Sequence, residues 1–177
     1  MSQTTPGPVI VRPVGGEDAR ALVPALAGLL VDCVEHGASV SFMSPLSTCK
    51  AEAFWTGVAE NVERGERILF VATRAESLVG TVQVVLAQPE NQPHRAEISK
   101  MLVHSLARRQ GLGAGLMQSA EEAARRAGKS LLVLDTASAE AERLYTRLGW
   151  TPVGVVPGYA LLPDGQPCDT TILYKTL

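Results

Sequence analysis

The residue types best suited to chemistry are concentrated in residues 95–115, which read RAEISKMLVHSLARRQGLGAG. The second half of this stretch combines Arg108 and Arg109 with glycines at Gly111 and Gly113, just before a segment with helical periodicity. Glycines let a backbone approach a ligand closely, the first N–H groups of a helix point outward, and arginines add positive charge. The stretch therefore predicts a cradle for a phosphate-bearing ligand.

The spacing of the glycines argues against two common phosphate-binding loops. The pattern Gly111-x-Gly113-x-Gly115 is not the G-x-G-x-x-G of dinucleotide-binding folds, and the turn follows a long stretch of other structure where such folds place it in the first βα unit. The Gly-Lys-Ser/Thr ending of a Walker loop is also absent. A helix start with incidental arginines remains the alternative to a ligand cradle.

Two carboxylates lie where a ligand could reach them. Glu97 falls within an apolar strand predicted at 96–103, and a buried charge there would be costly, so we expect Glu97 to face a wet cleft. Asp135 ends an apolar strand predicted at 130–135, at the edge where ligands bind in open α/β sheets. A salt bridge from Glu97 to Arg95 or Lys100 is the competing interpretation.

The hydrophobic pattern predicts an α/β protein in which strand, helix and strand run from about residue 96 to 135. A hairpin is expected from two β-rich runs separated by Arg74-Ala-Glu-Ser, and a small, apolar segment at 36–45 is expected to be a pocket wall or a packed connection. The predicted helices are 17–36, 47–64, 111–127 and 139–148, and the predicted strands are 9–12, 67–73, 78–87, 96–103, 130–135, 151–156 and 170–177.

Composition limits the class of protein. A chain of 177 residues that is 46% hydrophobic fits one domain over residues 1–177, with residues 1–7 as a flexible tail that lacks signal-peptide features. A net charge of −2 argues against nucleic-acid binding, and no apolar run is long enough for a membrane span. The three scattered cysteines indicate neither disulfides nor a metal site, and they fit a reducing cytoplasm.

The flanks of the cradle carry a family resemblance. Arg108-Arg-Gln-Gly-Leu-Gly-Ala-Gly fits R/Q-x-x-G-x-G/A, follows a strand ending in Met-Leu-Val, and precedes LYTRLGW at 144–150. Together these motifs resemble the GCN5-related N-acetyltransferase (GNAT) superfamily. The resemblance implies an α/β fold with a mixed central sheet of about seven strands, about four flanking helices and a splayed pair of parallel strands. The stretches GASVSFM, RAEISKMLV, LLVLDT and PGYALLPDG further resemble the tabtoxin-resistance subfamily.

The same resemblance implies acetyl-CoA as the acetyl donor, with no metal. Backbone groups of Met101, Leu102 and Val103 would bind the pantetheine arm and the oxyanion, and Tyr145 would contact or protonate the leaving thiol. Ser138 replaces an asparagine common in the family, and it either contacts CoA or caps the helix, which we favour. The pyrophosphate would be held by the amides of Gln110, Gly111, Gly113 and Ala114 and by the side chains of Arg108 and Arg109.

For the reaction itself, the resemblance implies that Glu97 is the base, with Asp135 as a second candidate or as a partner in a water relay. The acceptor pocket would include His36, Ser39, Phe42 and Tyr159. The expected function is acetylation of a small amino-acid-like amine, such as a toxin or an antibiotic. The alternatives are a protein or peptide amine, or a non-catalytic acyl-CoA-binding module. A homodimer is expected because many relatives are dimers.

Overall fold

The computed structural model describes residues 7–177, so the tail predicted at the N-terminus lies outside the described residues except for Gly7. The strands and helices follow one another in the order that the hydrophobic pattern predicts, apart from one helix that is divided in two. The strands are β1 (Val9–Val14), β2 (Arg67–Arg74), β3 (Ser77–Val85), β4 (Arg95–Val103), β5 (Leu131–Thr136), β6 (Thr151–Leu161) and β7 (Pro167–Thr176). The α-helices are α1 (Gly16–Ala21), α2 (Val23–Glu35), α3 (Thr48–Glu63), α4 (Leu112–Arg126) and α5 (Ala139–Arg147).

All seven strands form one mixed sheet in the order β1-β2-β3-β4-β5-β7-β6, which confirms the predicted seven-stranded α/β architecture. β4 and β5 are the parallel pair, and α4 forms the crossover between them. The other neighbouring strands are antiparallel. The centre of the sheet is therefore the one place where two carboxyl strand ends lie side by side, as a ligand site in an α/β sheet requires.

One predicted helix is two helices, so the described residues contain five α-helices where the sequence predicts about four. The break falls at Leu22, just before Pro24 at the start of α2. Proline has no N–H to donate to the preceding turn, and its ring clashes with that turn, so it is tolerated only in the first turn of a helix. The helix predicted over 17–36 is therefore two helices, and the second begins at Val23, where Pro24 can be accommodated.

The last two strands are longer than predicted. Pro157, Gly158 and Tyr159 were expected in a link between strands, but they lie within β6, at an irregularity in its pairing with β7. The Gly158 N–H donates to Asp169 Oδ1 at 2.9 Å, so a side chain of β7 replaces the missing backbone partner. The strand therefore continues past Pro157, and the prediction that it ends at residue 156 is wrong.

Two apolar layers cover the sheet. On one face α4 and α5 pack Leu116, Met117 and Tyr145 against the central strands, and on the other face α1, α2 and α3 pack Leu30 and Trp55. Each large side chain buried in this way contributes about 1.5–3 kcal/mol to the free energy of unfolding. The two layers fix β4 and β5 from both sides, which matters because these strands separate at the site described next.

Candidate active site

The parallel strands β4 and β5 pair over only three residues, from Arg95 with Leu131 to Glu97 with Val133. Beyond Glu97 the pairing stops, although both strands continue. At the same level β4 contains a bulge, because Lys100 and Met101 together oppose a single residue of β3. Lys100 has a φ of 48° in the left-handed region, which turns the strand away from β5. The predicted splayed pair is confirmed, and the bulge accounts for the splay.

The splay opens a cleft of about 670 Å³ between the two faces of the sheet. The cleft brings together most of the residues predicted from the sequence, although they come from the segment after α2, from β4 and β5, from the turn before α4 and its first helical residues, and from the start and the length of α5. The predicted site residues that line it are His36, Ser39, Glu97, Met101, Leu102, Val103, Arg108, Arg109, Gly111, Gly113, Ala114, Asp135, Ser138 and Tyr145.

The turn before α4 forms an open concave end on the helix side of the cleft. Gly111 has a φ of 81° and Arg109 a φ of 61°, so two left-handed residues reverse the chain just before the helix. The N–H groups of Ala114 and Gly115 both donate to the Gly111 carbonyl oxygen, at 3.1 and 3.3 Å. The amides at Leu112 and Gly113 precede any intrahelical acceptor and point out of the helix end. These two amides are therefore better placed for an anion than that of Ala114.

The two arginines of this turn differ in their surroundings. The Arg109 side chain is 85% exposed and forms an ion pair with Glu140 at 3.6 Å. The Arg108 side chain instead turns inward, and its Nε donates to the Val103 carbonyl oxygen at 3.3 Å. The Cys33 thiol also donates to that oxygen, at 3.5 Å. Arg108 therefore braces the end of β4, while Arg109 remains accessible to solvent.

Tyr145 lies in the wall of the cleft on α5 and is 5% exposed. Burial raises the pKa of its hydroxyl above the ordinary value, and the neighbouring carboxylate of Asp135 raises it further. The hydroxyl therefore stays protonated at physiological pH and can donate a proton or a hydrogen bond there. Ser138 caps the same helix, because its hydroxyl accepts from the Ala141 N–H at 3.2 Å, in agreement with the favoured interpretation.

Glu97 and Asp135 lie on the same face of the sheet. Glu97 pairs with Val133, and side chains alternate along a strand, so Asp135 projects on the Glu97 side two residues further along. Ala96 and Ile98 project to the opposite face, into the α4 layer. None of the ion pairs formed among residues 7–177 includes Glu97, so the salt bridge to Arg95 or Lys100 is not formed. Both carboxylates therefore face the cleft on the side of α2 and α3.

The segment 36–45 closes the cleft on this second face. Its Ser39 hydroxyl donates to the Leu161 carbonyl oxygen at 3.2 Å, and the Ser44 N–H donates to that of Pro163 at 2.9 Å. Both acceptors lie at the turn between β6 and β7, so the segment spans from α2 to that turn. The sequence left open whether this segment is a pocket wall or a packed connection, and in the structure it is both.

Three predicted residues lie elsewhere. Gln110 is exposed and donates to the Leu106 carbonyl oxygen at 3.3 Å. Phe42 packs edge-on against Phe54 of α3, with ring centroids 5.3 Å apart, and Tyr159 is 57% exposed on β6. Phe42 therefore packs the segment 36–45 against α3, and Tyr159 lies on the surface of β6. Neither side chain lines the cleft.

The structure also adds cleft residues that the sequence does not single out. Lys100 was considered only as an ion-pair partner of Glu97, and the signal that could have found it is a lysine in an otherwise apolar strand. Ser41 and Cys33 also line the cleft. Burial raises the pKa of the Cys33 thiol to about 11, so this thiol is protonated and not nucleophilic at neutral pH.

Among residues 7–177, no three His, Cys, Asp or Glu side chains are grouped as metal ligands would be. No helix in this part of the chain is both long and apolar enough to cross a bilayer.

Residues 34–150 match the model of the acetyltransferase (GNAT) family, which is most of the chain and includes the splayed strands, the turn and α5. The chain belongs to the GNAT family. It is thus an N-acetyltransferase by family, and the splayed strands and the glycine turn are the family features that its sequence predicts.

Solved structures share the fold over nearly the whole chain. The structure of yncA from Salmonella typhimurium with its cofactor acetyl-CoA is 21% identical, with a TM-score of 0.78 over 96% of this chain and 94% of that one. Ribosomal-protein-alanine N-acetyltransferase from Brucella melitensis is 24% identical, with a TM-score of 0.77 over 95% and 99%. Aminoglycoside 6′-acetyltransferase type Ii is 20% identical, with a TM-score of 0.68 over 94% and 96%. At these identities the likeness extends to the fold alone.

Proposed function

We propose that this GNAT protein transfers the acetyl group of acetyl-CoA to the amine of a small amino-acid-like molecule, as a tabtoxin-resistance-like enzyme would. The observation that carries the proposal is the cleft where β4 and β5 splay apart. One end of the cleft is the open turn at the start of α4, and the other holds the carboxylates of Glu97 and Asp135. A donor and an acceptor could therefore meet between β4 and β5 from opposite faces.

The turn before α4 fits the diphosphate of CoA. A Cβ added at Gly111 would meet nothing within 4 Å, so the space in front of this backbone is open. The first turn of α4 contains no acidic residue that would repel an anion. Outward-pointing N–H groups and the partial positive charge of a helix N-terminus together favour a phosphate group. In this proposal Gly111, Leu112 and Gly113 contact the diphosphate, and Arg109 adds charge.

Acetyl-CoA would supply a thioester whose carbonyl an amine attacks and whose sulfur leaves as a thiolate. Glu97 and Asp135 take the proton from the acceptor ammonium, directly or through a water molecule, so that a neutral amine can attack. Backbone amides at the end of β4, at Leu102 or Val103, face the developing oxyanion. Tyr145 keeps its proton at physiological pH and donates it, or a hydrogen bond, to the leaving sulfur.

The closure of the cleft by residues 36–45 favours a small acceptor over a protein. This segment is anchored at both ends, by α2 on one side and by the hydrogen bond from Ser44 to Pro163 on the other. A peptide acceptor would need a long open groove, and the segment lies across that path. The related folds include enzymes named for a ribosomal protein and for an aminoglycoside, so the fold itself leaves the acceptor open.

A turnover assay with acetyl-CoA tests the proposal. The acceptor panel contains amino acids, dipeptides, tabtoxinine-like β-lactams, an aminoglycoside and a peptide with N-terminal alanine. Released thiol and acetylated product are measured together. We expect turnover with small amino-acid-like amines and little with the peptide. Preferential acetylation of the peptide would refute the small acceptor. Binding of acetyl-CoA without thiol release from any amine would favour the acyl-CoA-binding alternative.

A further inference from the structure

Lys100 is a cation in the acceptor side of the cleft with few partners of its own. Its ammonium donates to the Ser41 hydroxyl at 3.2 Å and lies 5.7 Å from the centre of the Phe54 ring. Asp135 and Glu97 are near enough to favour the charged form, and Arg67 disfavours it. Burial is the largest influence and lowers the pKa of Lys100 below its ordinary value.

The charge of Lys100 is not neutralised within the described chain. None of the ion pairs among residues 7–177 includes it, so Asp135 and Glu97 influence Lys100 without contacting it. A hydroxyl and an aromatic ring compensate a partly buried ammonium only in part. An anionic group in the cleft would complete the set of partners, because an ammonium has three donors and Ser41 accepts only one.

The position of Lys100 depends on unusual backbone geometry. In a regular strand, residues three apart such as Glu97 and Lys100 project to opposite faces. The bulge, with Lys100 at a φ of 48°, instead brings the lysine toward Ser41 and Phe54, on the Glu97 side. Ser41 also has a left-handed φ, of 76°. Non-glycine residues in this region of backbone conformation are strained, and they cluster at functional sites.

We propose that Lys100 binds a carboxylate of the acceptor while Glu97 and Asp135 receive its amine. This inference rests on the proposed function and narrows it to zwitterionic acceptors, in which a carboxylate lies within a few bonds of the reacting amine. Lys100 together with Glu97 and Asp135 offers both signs of charge that such a molecule needs, and Arg67 adds a further positive charge nearby. A polycation such as an aminoglycoside would place a positive charge against Lys100, so the site disfavours it.

The first experiment compares each amino acid of the panel with its carboxamide, which keeps the amine but removes the negative charge. Wild type should prefer the free carboxylate by about 10- to 100-fold in kcat/KM, the range for a hydrogen bond between charged groups. Lys100→Met should reduce that ratio to below about 3-fold, mainly through KM for the carboxylate. Lys100→Arg should retain part of the preference.

Lys50→Met is the matched control. Lys50 is an exposed lysine 5.9 Å from the centre of the Phe42 ring, outside the lining of the cleft. The Lys50→Met variant should keep the wild-type ratio of kcat/KM for the carboxylate over the carboxamide. An equal ratio in wild type and Lys100→Met, or a wild-type preference for the carboxamide, overturns the role of Lys100 while leaving the acetyltransferase proposal intact.

A binding measurement separates the two proposals. With saturating CoA, amino acids should raise the melting temperature of wild type more than that of Lys100→Met, and carboxamides should affect both equally. Absence of thiol release from every amine would count against the proposed function alone. Equal thermal shifts of wild type and Lys100→Met with the amino acids would count against Lys100 alone.

Discussion

Among single residues, Glu97 is the one on which turnover should depend most. Glu97→Gln keeps the shape of the side chain but removes its basicity. We expect kcat to fall by about 10²- to 10⁴-fold, the usual range for general base catalysis, and acetyl-CoA affinity to change little. Glu60→Gln, an exposed position on α3, is the matched control. Steady-state kinetics and acetyl-CoA titration check both; full activity in Glu97→Gln would remove Glu97 as the base.

Asp135→Asn distinguishes a direct base from a relay. If a water molecule carries the proton from Glu97 to Asp135, the Asn variant should lose a similar factor, and the double variant should lose little more, because residues that act as a unit are not additive. If Glu97 acts alone, the Asp135→Asn loss should be small. The kcat values of wild type, Glu97→Gln, Asp135→Asn and the double variant therefore distinguish the relay from a direct base.

Tyr145→Phe tests the proton donor. Because burial and Asp135 raise the pKa of Tyr145, its hydroxyl remains protonated as pH rises, and no loss of activity from this group is expected below about pH 10. The variant should reduce kcat by about 10²-fold if the proton is transferred. Tyr174→Phe, on β7, is the control. An unchanged rate in Tyr145→Phe would leave this side chain with a packing role, consistent with its contact with Trp150.

At the scale of elements, the two ends of α4 provide a matched pair of glycines. Gly111 before the helix has a φ of 81°, Gly128 after it has a φ of 75°, and a Cβ at either would meet nothing within 4 Å. Alanine at each should cost about 1–2 kcal/mol from backbone strain. Only Gly111→Ala should also raise KM for acetyl-CoA, by about 10-fold, since that side chain would enter the space for an anion. Equal KM in both variants would contradict the cradle.

A second element contact holds the start of the cradle against α2. The Asp32 carboxylate accepts from the Ser105 N–H and from the Ser105 hydroxyl, both at 2.8 Å, just after β4. Burial alone would raise the pKa of Asp32, but these hydrogen bonds and the nearby His104 and His36 outweigh it and lower the pKa below its ordinary 3.8. Folding therefore favours the charged carboxylate.

This shift sets the sign of a pH dependence. The stabilisation is fully present above the ordinary pKa and is lost as pH falls through the lower pKa of the folded state. Asp32→Asn should reduce the free energy of unfolding by about 1–3 kcal/mol at pH 7 and show a shallower decline from pH 5 to pH 3 than wild type. Glu35→Gln, exposed on the same helix, should follow wild type in urea titrations. If the free energy of unfolding fell equally with pH in wild type and Asp32→Asn, the lowered pKa of Asp32 would be contradicted.

The elements themselves could largely be predicted from the sequence, because each depends on local signals. The glycine turn and Pro24 act through their own backbone restrictions, and Ser138 acts on an amide three residues away. Lys100 could not be placed in this way, since the bulge that turns it toward Glu97 depends on pairing with β3. The length of β6 could not be predicted either, because Gly158 donates its hydrogen bond to Asp169 on the neighbouring strand β7. Sequence motifs therefore indicated the cradle better than the acceptor side.

At the scale of the whole molecule, the sheet consists of two parts joined by the three residue pairs of β4 and β5. One part is β1 to β4 and the other is β5, β7 and β6. Because the cleft needs these strands apart at one end, other contacts must hold the two parts together at the other. The homodimer expected from the sequence stays a prediction. β6 is one of the two edge strands of the sheet and exposes Val153 and Val155.

One buried charge cluster bridges the two parts through α4. Glu121 of α4 accepts from Lys175 of β7 at 2.6 Å and from the Trp150 indole at 2.8 Å, and Lys175 also donates to the Leu148 carbonyl oxygen at 2.6 Å. The Glu121 and Lys175 side chains are only 6% and 17% exposed. Removing one partner leaves the other buried and uncompensated, so Lys175→Met and Glu121→Gln should each lower the free energy of unfolding by about 3–5 kcal/mol.

The double variant should recover part of that loss, because it leaves no unpaired buried charge. A coupling energy of at least about 1 kcal/mol in the urea-unfolding cycle would support the bridge. Arg125→Met with Glu122→Gln, an exposed pair on the same helix, is the control and should show coupling below about 0.5 kcal/mol. If the bridge holds the closed end of the splay, the single variants should also weaken acetyl-CoA binding although neither residue lines the cleft. Strictly additive losses with unchanged binding would mean that the apolar layer around α4 alone joins the two parts.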